Sequence, residues 1–311
     1  MKNSILIAGM ILLAASCSNE SAELGNEQTV AQSLQAPVTV SVSGFSVEQS
    51  DISDPVGGAQ GARATTRGTA LGDYSDIKFV TLAFYKSDGT EVYKHTQNRD
   101  ALEQGETFGE FSTSLVYGSY TMVVLGYVLY DDDELTLTSP TQAEYTGGSP
   151  RETFVATQEV NITNTSSVNL SATLERIVAQ LKVISSDNRT ENVSNVRMTL
   201  SAGGKRFSPT SGLATLNTGF SNTVGIGTAV GAKSGSISNI FLASDEQEMN
   251  VTIETLDSEG HTIFSTVVEN VPFKRNRITK LTGSIYPTSA GATIGSFSVS
   301  GDWLTAHDMT F

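Results

Sequence analysis

The fold class is decided by the stretch Val168-Asn-Leu-Ser-Ala-Thr-Leu-Glu-Arg-Ile-Val-Ala-Gln-Leu-Lys-Val183. Its apolar residues occupy even positions up to Leu174 and odd positions from Ile177, which is the two-residue period of a strand with one buried face. The change of phase at Glu175-Arg176 ends one strand and begins another. Similar alternation recurs along the chain, and no span has a convincing helical period. The sequence therefore predicts an all-β protein in which helix is a minor element.

Length and charge restrict the class of protein. The 311 residues carry a formal net charge of −14, and a chain this acidic repels phosphate groups, so nucleic acid is excluded as a partner. Beyond residue 36 the chain is long enough for two domains of ordinary size, which the phase change places at 37–174 and 175–311. Because the chain contains a single cysteine, it forms no internal disulfide, and packing and sheet hydrogen bonds must supply its stability.

The N-terminal segment has the layout of an export signal. Lys2 precedes an apolar run from Ser4 to Ser16, which is shorter than the ~20 residues that span a bilayer. The small residues before Cys17 resemble the lipobox of bacterial lipoproteins, in which the thiol is lipidated and acyl chains such as palmitate anchor the protein. We predict a signal peptide at 1–16, lipidation of Cys17 and a flexible tether at 17–36. The alternative is an ordinary cleaved signal that leaves Cys17 unmodified.

A strand followed by a long polar stretch opens the first predicted domain. Residues 48–75 are polar and rich in glycine, and an insert of this length is usually functional or disordered. It contains Arg63 and Arg67, which are either ordinary loop residues or sites open to a protease. The preceding strand changes phase after Gly44, which predicts a bulge or bend. Its alternating apolar residues are Val38, Val40, Val42, Phe45 and Val47.

Large apolar residues also share one phase at the C-terminus. In an extended chain they lie on one face, with Gly301 between them. Such a stripe either packs onto its own domain or is available to another chain. Its members are Phe297, Val299, Trp303, Met309 and Phe311.

The sequence lacks the residue patterns of catalysis and metal binding. None of the three histidines, His95, His261 and His307, stands at metal-ligand spacing with another His or Cys. No Gly-x-Ser-x-Gly motif occurs, and no pair of carboxylates stands out. We predict no enzymatic activity, no catalytic residue, no metal and no cofactor.

Several segments together resemble the fimbrillins, the subunits of the type V pili of Bacteroidia. The resemblance includes the lipobox at Cys17, the arginine-bearing loop at 63–67, the strand Leu174 to Val183, and Asp302-Trp303 followed by Phe311. The most specific piece lies in Val271-Pro-Phe-Lys-Arg-Asn-Arg-Ile-Thr-Lys-Leu-Thr-Gly-Ser-Ile-Tyr286. The resemblance depends on the order of these segments over nearly the whole mature chain.

This resemblance implies two transthyretin-like β-sandwich domains in tandem and a structural role in a cell-surface fimbria that supports adhesion. It implies export as a lipoprotein to the outer membrane and cleavage by an arginine-specific protease, preferably after Arg67, which lies nearer the next strand than Arg63. The first strand, Val38 to Val47, then leaves a groove, and a C-terminal strand of a neighbouring subunit fills it. The stripe from Phe297 to Phe311 fits that donor role. The implied partners are other pilus subunits, the outer membrane and the protease.

Two other functions remain open. An anchor subunit of the same family keeps its lipid and its first strand. A surface glycan-binding lipoprotein needs exposed aromatic side chains on which sugars stack, and the chain has a single tryptophan. The tyrosines that could serve instead are Tyr117, Tyr120, Tyr127, Tyr130 and Tyr145.

Overall fold

The computed structural model of the chain describes residues 34–49, 65–130, 133–286 and 298–303. In these ranges the regular structure consists of twenty β-strands and one 3-10 turn, Leu71–Asp73, and contains no α-helix. The prediction of an all-β fold is confirmed. The predicted signal peptide, Cys17 and the predicted tether as far as residue 33 lie outside the described residues.

Ten strands precede residue 177. Valine, threonine, tyrosine and phenylalanine are frequent in them, and these residues suit a pleated, half-buried surface. In chain order the strands are β1 Gln35–Gln49, β2 Thr65–Ala70, β3 Phe79–Lys86, β4 Glu91–Asn98, β5 Glu110–Val116, β6 Gly118–Tyr127, β7 Glu134–Ser139, β8 Gln142–Thr146, β9 Thr153–Ile162 and β10 Val168–Arg176.

Ten more strands follow. They are β11 Ala179–Ser185, β12 Asn195–Leu200, β13 Arg206–Ser208, β14 Leu213–Ala214, β15 Phe220–Gly225, β16 Gly235–Ile240, β17 Glu246–Leu256, β18 Thr262–Lys274, β19 Arg277–Gly283 and β20 Ser298–Trp303. Antiparallel pairing of β3 with β4 and of β17 with β18 gives the two hairpins that the turn residues at 87–89 and 257–260 predict.

The first sheet encloses one core. Its eight strands run in the order β2-β1-β10-β9-β6-β3-β4, and β5 pairs with β1. β9 and β10 meet where Val155 and Phe154 pair with Glu175 and Arg176, so these two strands share a corner. Buried side chains of β1, β5 and β10, such as Val40, pack in one cluster with those of β3, β6 and β9; we call it cluster 1.

Two four-stranded sheets enclose a second core. Their orders are β16-β11-β19-β20 and β15-β12-β17-β18, and β11 pairs with β19 in parallel. Alternate residues point into the space between the sheets, which explains the period of two in the sequence. Buried residues from Ala179 to Tyr286, including Leu181, Ile253 and Leu281, form this cluster 2.

A fourth sheet joins the two halves of the chain. β7 and β8 come from the first half, β13 and β14 from the second, and Ala143 of β8 pairs with Phe207 of β13. A third cluster, cluster 3, combines residues of β3 and β6 such as Tyr85 with Ile177, Phe207 and Phe241. The rings of Phe207 and Phe241 stack with a centroid distance of 4.2 Å. The predicted boundary at 174/175 lies inside β10, which continues to Arg176, and residues from the two sides of this boundary share a sheet and a core.

The structure differs from the sequence prediction at both ends of the first strand. β1 begins at Gln35, two residues before the predicted domain, because Ala36 is fully buried and pairs with Leu115 of β5. The predicted loop 48–75 includes β2, whose residues pair with β1 although their own sequence shows no apolar alternation. Tertiary pairing therefore extends the ordered structure beyond what the local sequence pattern indicates.

Candidate functional site: the slot of the first strand

β1 has a strand neighbour on both sides. From Val38 to Ser46 it pairs in parallel with β10. On its other side it pairs antiparallel with β5 from Gln35 to Ser41 and with β2 from Gly44 to Gln49. β1 is therefore an internal strand of the sheet, and the space that it fills between β10 and β5 is called the slot here.

The inward residues of β1 are fully packed. Val38, Val40 and Val42 are at most 5% exposed and belong to cluster 1 together with Ala36. Burying a valine side chain contributes about 1.5–3 kcal/mol, so these three valines are a large part of what retains the strand. The pairing with β10 shifts register between Val42 and Gly44, which confirms the predicted bulge. For Phe45 and Val47 the structure gives the backbone pairing, opposite Thr69 and Arg67 of β2.

The two candidate cleavage residues have different positions. Arg63 lies outside the described residues, whereas Arg67 lies within β2 and pairs with Val47 of β1. β2 is at the outer end of the sheet order, so the ladder with β1 is the strand pairing that it has in the described structure. A protease that binds its substrate as an extended chain can approach such an edge, but a cut after Arg67 interrupts an ordered strand.

A buried polar network holds the chain directly after β2. The Tyr74 hydroxyl donates to the Glu152 carboxylate at 2.7 Å, and Glu152 forms an ion pair with Arg176 at the end of β10. Arg176 also donates to Asn276 Oδ1 at 3.1 Å, and Asn276 belongs to the turn between β18 and β19. Burial, and next the negative charge of Glu152, raise the pKa of Tyr74, which keeps its hydroxyl protonated as a donor. The sequence pattern does not reveal this network, since Glu175-Arg176 is visible in it solely as a change of phase.

The terminal strand pairs with its own chain. In β20, Val299, Gly301 and Trp303 lie opposite Leu281, Thr279 and Arg277 of β19. β20 is the last strand in the order of its sheet. Phe297, Met309 and Phe311 lie outside the described residues. The donor role of this segment stays a prediction, as does its alternative role in its own domain.

The tyrosines differ in their suitability as sugar platforms. Tyr120, Tyr127 and Tyr145 are buried, so the expectation that they could stack on a glycan is wrong for these three. Tyr117 and Tyr130 are 40% and 59% exposed. However, the guanidinium of Arg151 lies 5.0 Å from the centre of the Tyr130 ring and covers it. A sugar-binding platform would therefore depend mainly on Tyr117.

Two other kinds of site are missing from the described residues. Within these ranges, no group of three or more His, Cys, Asp or Glu side chains is arranged to hold a metal ion. Likewise, the described part of the chain has no helix of the length and hydropathy needed to cross a membrane.

The fold and the slot define an all-β protein whose first strand is inserted into the interior of a sheet. The sequence profile of DUF6562, a family of unknown function, matches residues 45–303, and the chain belongs to this family. No curated protein matches the sequence.

Among the solved structures to which this chain is similar are one from Bacteroides ovatus and one from Porphyromonas gingivalis. A "putative adhesin" from Bacteroides ovatus is 11% identical, with a TM-score of 0.49 over 81% of this chain and 88% of that one. The fimbrial anchor protein Mfa2 from Porphyromonas gingivalis is 12% identical, with a TM-score of 0.46 over 86% of this chain and 98% of that one. At these identities and TM-scores the similarities assign no function to the chain.

Proposed function

We propose that this protein is a structural subunit of a cell-surface fimbria, built from tandem transthyretin-like β-sandwich domains and assembled by strand exchange. The observation that carries the proposal is the position of β1 between β10 and β5, with Val38, Val40 and Val42 buried. A strand in this position leaves two unpaired ladder edges and an apolar groove when it is removed. Both features favour the entry of another strand with the same alternation.

The terminal segment is the proposed donor. β20 has a ladder with β19 over six positions and is last in its sheet, whereas the slot offers a ladder on both sides. Transfer of a C-terminal strand from one copy into the slot of another therefore gains backbone hydrogen bonds, and it buries the stripe of Phe297, Val299, Trp303, Met309 and Phe311. Each large apolar side chain contributes about 1.5–3 kcal/mol on burial.

The proposal includes a route to the cell surface. The chain is exported with its signal peptide, lipidated at Cys17, and held in the outer membrane by its acyl chains. An arginine-specific protease then cuts at Arg67 or Arg63 and separates the lipidated segment and β1 from the rest. The subunits then support adhesion as part of a fimbrium.

A second candidate function is that of a pilus anchor, which keeps both its lipid and β1. The observation that favours it is the ladder between Arg67 and Val47, because a cut there must break ordered strand pairing. An anchor offers its C-terminal strand to a neighbour but does not accept one in the slot.

Mass spectrometry of the protein released from intact cells tests the proposal. A subunit has a mature N-terminus just after Arg67 or Arg63, whereas an anchor begins at a lipidated Cys17. Arg67→Ala, Arg63→Ala and the double variant identify the cut residue. A lipidated Cys17 on all surface-exposed copies would reject the subunit in favour of the anchor. Glycan-array binding by a protein that never polymerises would favour the glycan-binding alternative instead.

A further inference from the structure

β5 depends on β1 for its strand pairing. In the described structure it pairs with β1 at seven positions, from Val116 opposite Gln35 to Glu110 opposite Ser41, and with no second strand. When β1 leaves, β5 keeps the packing of Phe111 and Leu115 in cluster 1. At its C-terminal end, one residue separates it from β6. The contacts at the N-terminal end of β5 therefore decide whether this strand, which borders the slot, stays in place.

Gln97 holds that end of β5 from the neighbouring edge strand, β4. Its side chain is buried, and its Nε2 donates to the carbonyl oxygens of Glu110 at 2.9 Å and Thr107 at 3.3 Å. Its Oε1 accepts a hydrogen bond from the backbone N–H of Gly109 at 2.8 Å. β4 and β5 are not paired as strands in the described residues, so these side-chain bonds link the two edges. His95 supports the same loop through a contact of 2.5 Å with Glu106.

Gly109 connects Gln97 to the slot. Its carbonyl oxygen accepts a hydrogen bond from the N–H of Val42 in β1 at 2.9 Å. Its φ of +86° favours glycine, and a Cβ at this position would overlap the side chain of Leu71. The carbonyl group of Gly109, which accepts a hydrogen bond from the strand in the slot, is therefore fixed between Gln97 and Leu71.

Arg99, just after β4, holds the segment that follows β2. Its Nε donates to the carbonyl of Ile77 at 2.9 Å, and its Nη2 donates to those of Leu71 at 2.8 Å and Tyr74 at 3.1 Å. Its guanidinium also lies 4.3 Å from the centre of the Phe108 ring. The end of β4 thus fixes both the loop before β5 and the segment that remains after a cut at Arg67.

We propose that Gln97 and Arg99 form a clasp that keeps the slot open for an incoming strand. This inference rests on the proposed departure of β1. In the uncut chain the ladder with β1 and the clasp both hold β5, so the clasp is partly redundant. After β1 has left, the clasp holds Gly109 and the start of β5 in the bound geometry, which lowers the ordering cost of the next strand. The occupant is a β-strand with alternate apolar residues and a free N–H opposite Gly109.

The experiment compares Gln97→Met before and after β1 is free to leave. A recognition site for a sequence-specific protease is inserted within 50–64 of the full chain, so the cut alters none of the described residues. Binding of labelled peptides of residues 34–49 and 292–311 to the cut protein is then measured. Three lost hydrogen bonds should weaken peptide binding by at least ~10-fold. The unfolding equilibrium constant of the uncut protein should change by a smaller factor.

Two further variants complete the design. Gln158→Met, on the exposed face of β9, is the matched control and should bind the peptides like the wild type. Arg99→Lys keeps the charge but lacks the planar fork that donates to all three carbonyls, and should weaken binding in the same direction as Gln97→Met.

The outcomes separate the clasp from the proposed function. Equal losses in the cut and uncut proteins, an uncut Gln97→Met variant that does not fold, or unchanged peptide binding would each overturn the clasp. If the cut wild-type protein binds neither peptide, both the departure of β1 and the proposed function are rejected. If the cut wild-type protein binds the peptide of residues 34–49 but not that of residues 292–311, the donor role of the C-terminal segment is rejected. Weaker binding of the peptide of residues 34–49 by Gln97→Met would still support the clasp.

Discussion

β1 and β20 are both strands near an end of the described chain, yet they are held in different ways. β1 has strand partners on both sides and the buried side chains Val38, Val40 and Val42. β20 has its ladder with β19 and is the last strand in the order of its sheet. An internal strand leaves a two-sided vacancy when it is lost, while an edge strand leaves one free edge, which sheets normally possess. The comparison indicates that this fold requires a strand in the slot and tolerates the loss of β20.

The largest expected effect comes from a charge in the slot. Val40→Asp places a carboxylate in cluster 1, and we expect a loss of more than ~4 kcal/mol, enough to abolish cooperative unfolding. Deletion of residues 292–311 should preserve a cooperative transition in thermal denaturation followed by circular dichroism. Thr39→Asp, on the exposed face of β1, is the control. If the deletion removes the transition, the statement that the fold tolerates the loss of β20 is wrong, because the terminal strand would then be a core element of its own domain.

The second prediction concerns whether the regions around β1 and β20 unfold separately. Phe207 is fully buried in cluster 3, to which both halves of the chain contribute. We expect Phe207→Ala to lower the free energy of unfolding by about 3–5 kcal/mol and to move a single transition. The half-exposed Leu216 provides the control, Leu216→Ala. Transitions that differ between circular dichroism and the fluorescence of Trp303 would mean that the halves unfold independently.

A smaller effect is expected in the loop before β5, which borders the slot. Gly109 and Gly105 both have a positive φ, but a side chain would overlap Leu71 at Gly109 and would meet open space at Gly105. Gly105→Ala should therefore cost about 1–2 kcal/mol from backbone strain alone. Gly109→Ala should cost about 1–3 kcal/mol more, because it also overpacks the site. Chemical denaturation measures both, and equal losses would show that the contact with Leu71 is not tight.

The smallest effect is a dependence on alkaline pH. Burial, followed by the charge of Glu152, raises the pKa of Tyr74, so the folded chain keeps a proton that the unfolded chain loses above pH ~10. The contribution of this group is present below that pH and declines as the pH rises, by at most ~1.4 kcal/mol per pH unit. Tyr74→Phe should flatten the fall in stability between pH 9 and 11 relative to the wild type, as measured by urea denaturation. An identical flattening in Tyr117→Phe, an exposed position, would contradict the assignment to Tyr74.

Local sequence patterns predicted the parts of the fold that depend on neighbours in the chain. Alternation located β1, β10 and β11, and turn residues located two hairpins. Gly44 marked the bulge, because a glycine at a change of phase is typical of an extra residue inserted into one strand. These features depend on a period of two and on turn chemistry, which are properties of short segments.

The remaining features depend on contacts between distant segments. β13 and β14 contain three and two residues, too few to show a period. β13 is a strand because it pairs with β8, and β14 is one because it pairs with β13. The parallel pairing of β1 with β10 also leaves no local signal. Gln97 is an intermediate case, since it shares the phase of Tyr93 and His95 in β4 and could have been suspected as an inward polar residue.

The pairing of β1 with β10 has a consequence for the order of folding. β1 is synthesised first, but Thr39 and Asn169, which face each other across the ladder, are separated by 130 residues. Closing so long a loop is entropically costly, and pairing between distant segments is slow. Each new molecule therefore passes through an interval in which β1 is not yet paired with β10. During that interval the shared backbone gives β1 a high effective concentration at the slot, so it should outcompete the strand of another copy until a cut removes this advantage.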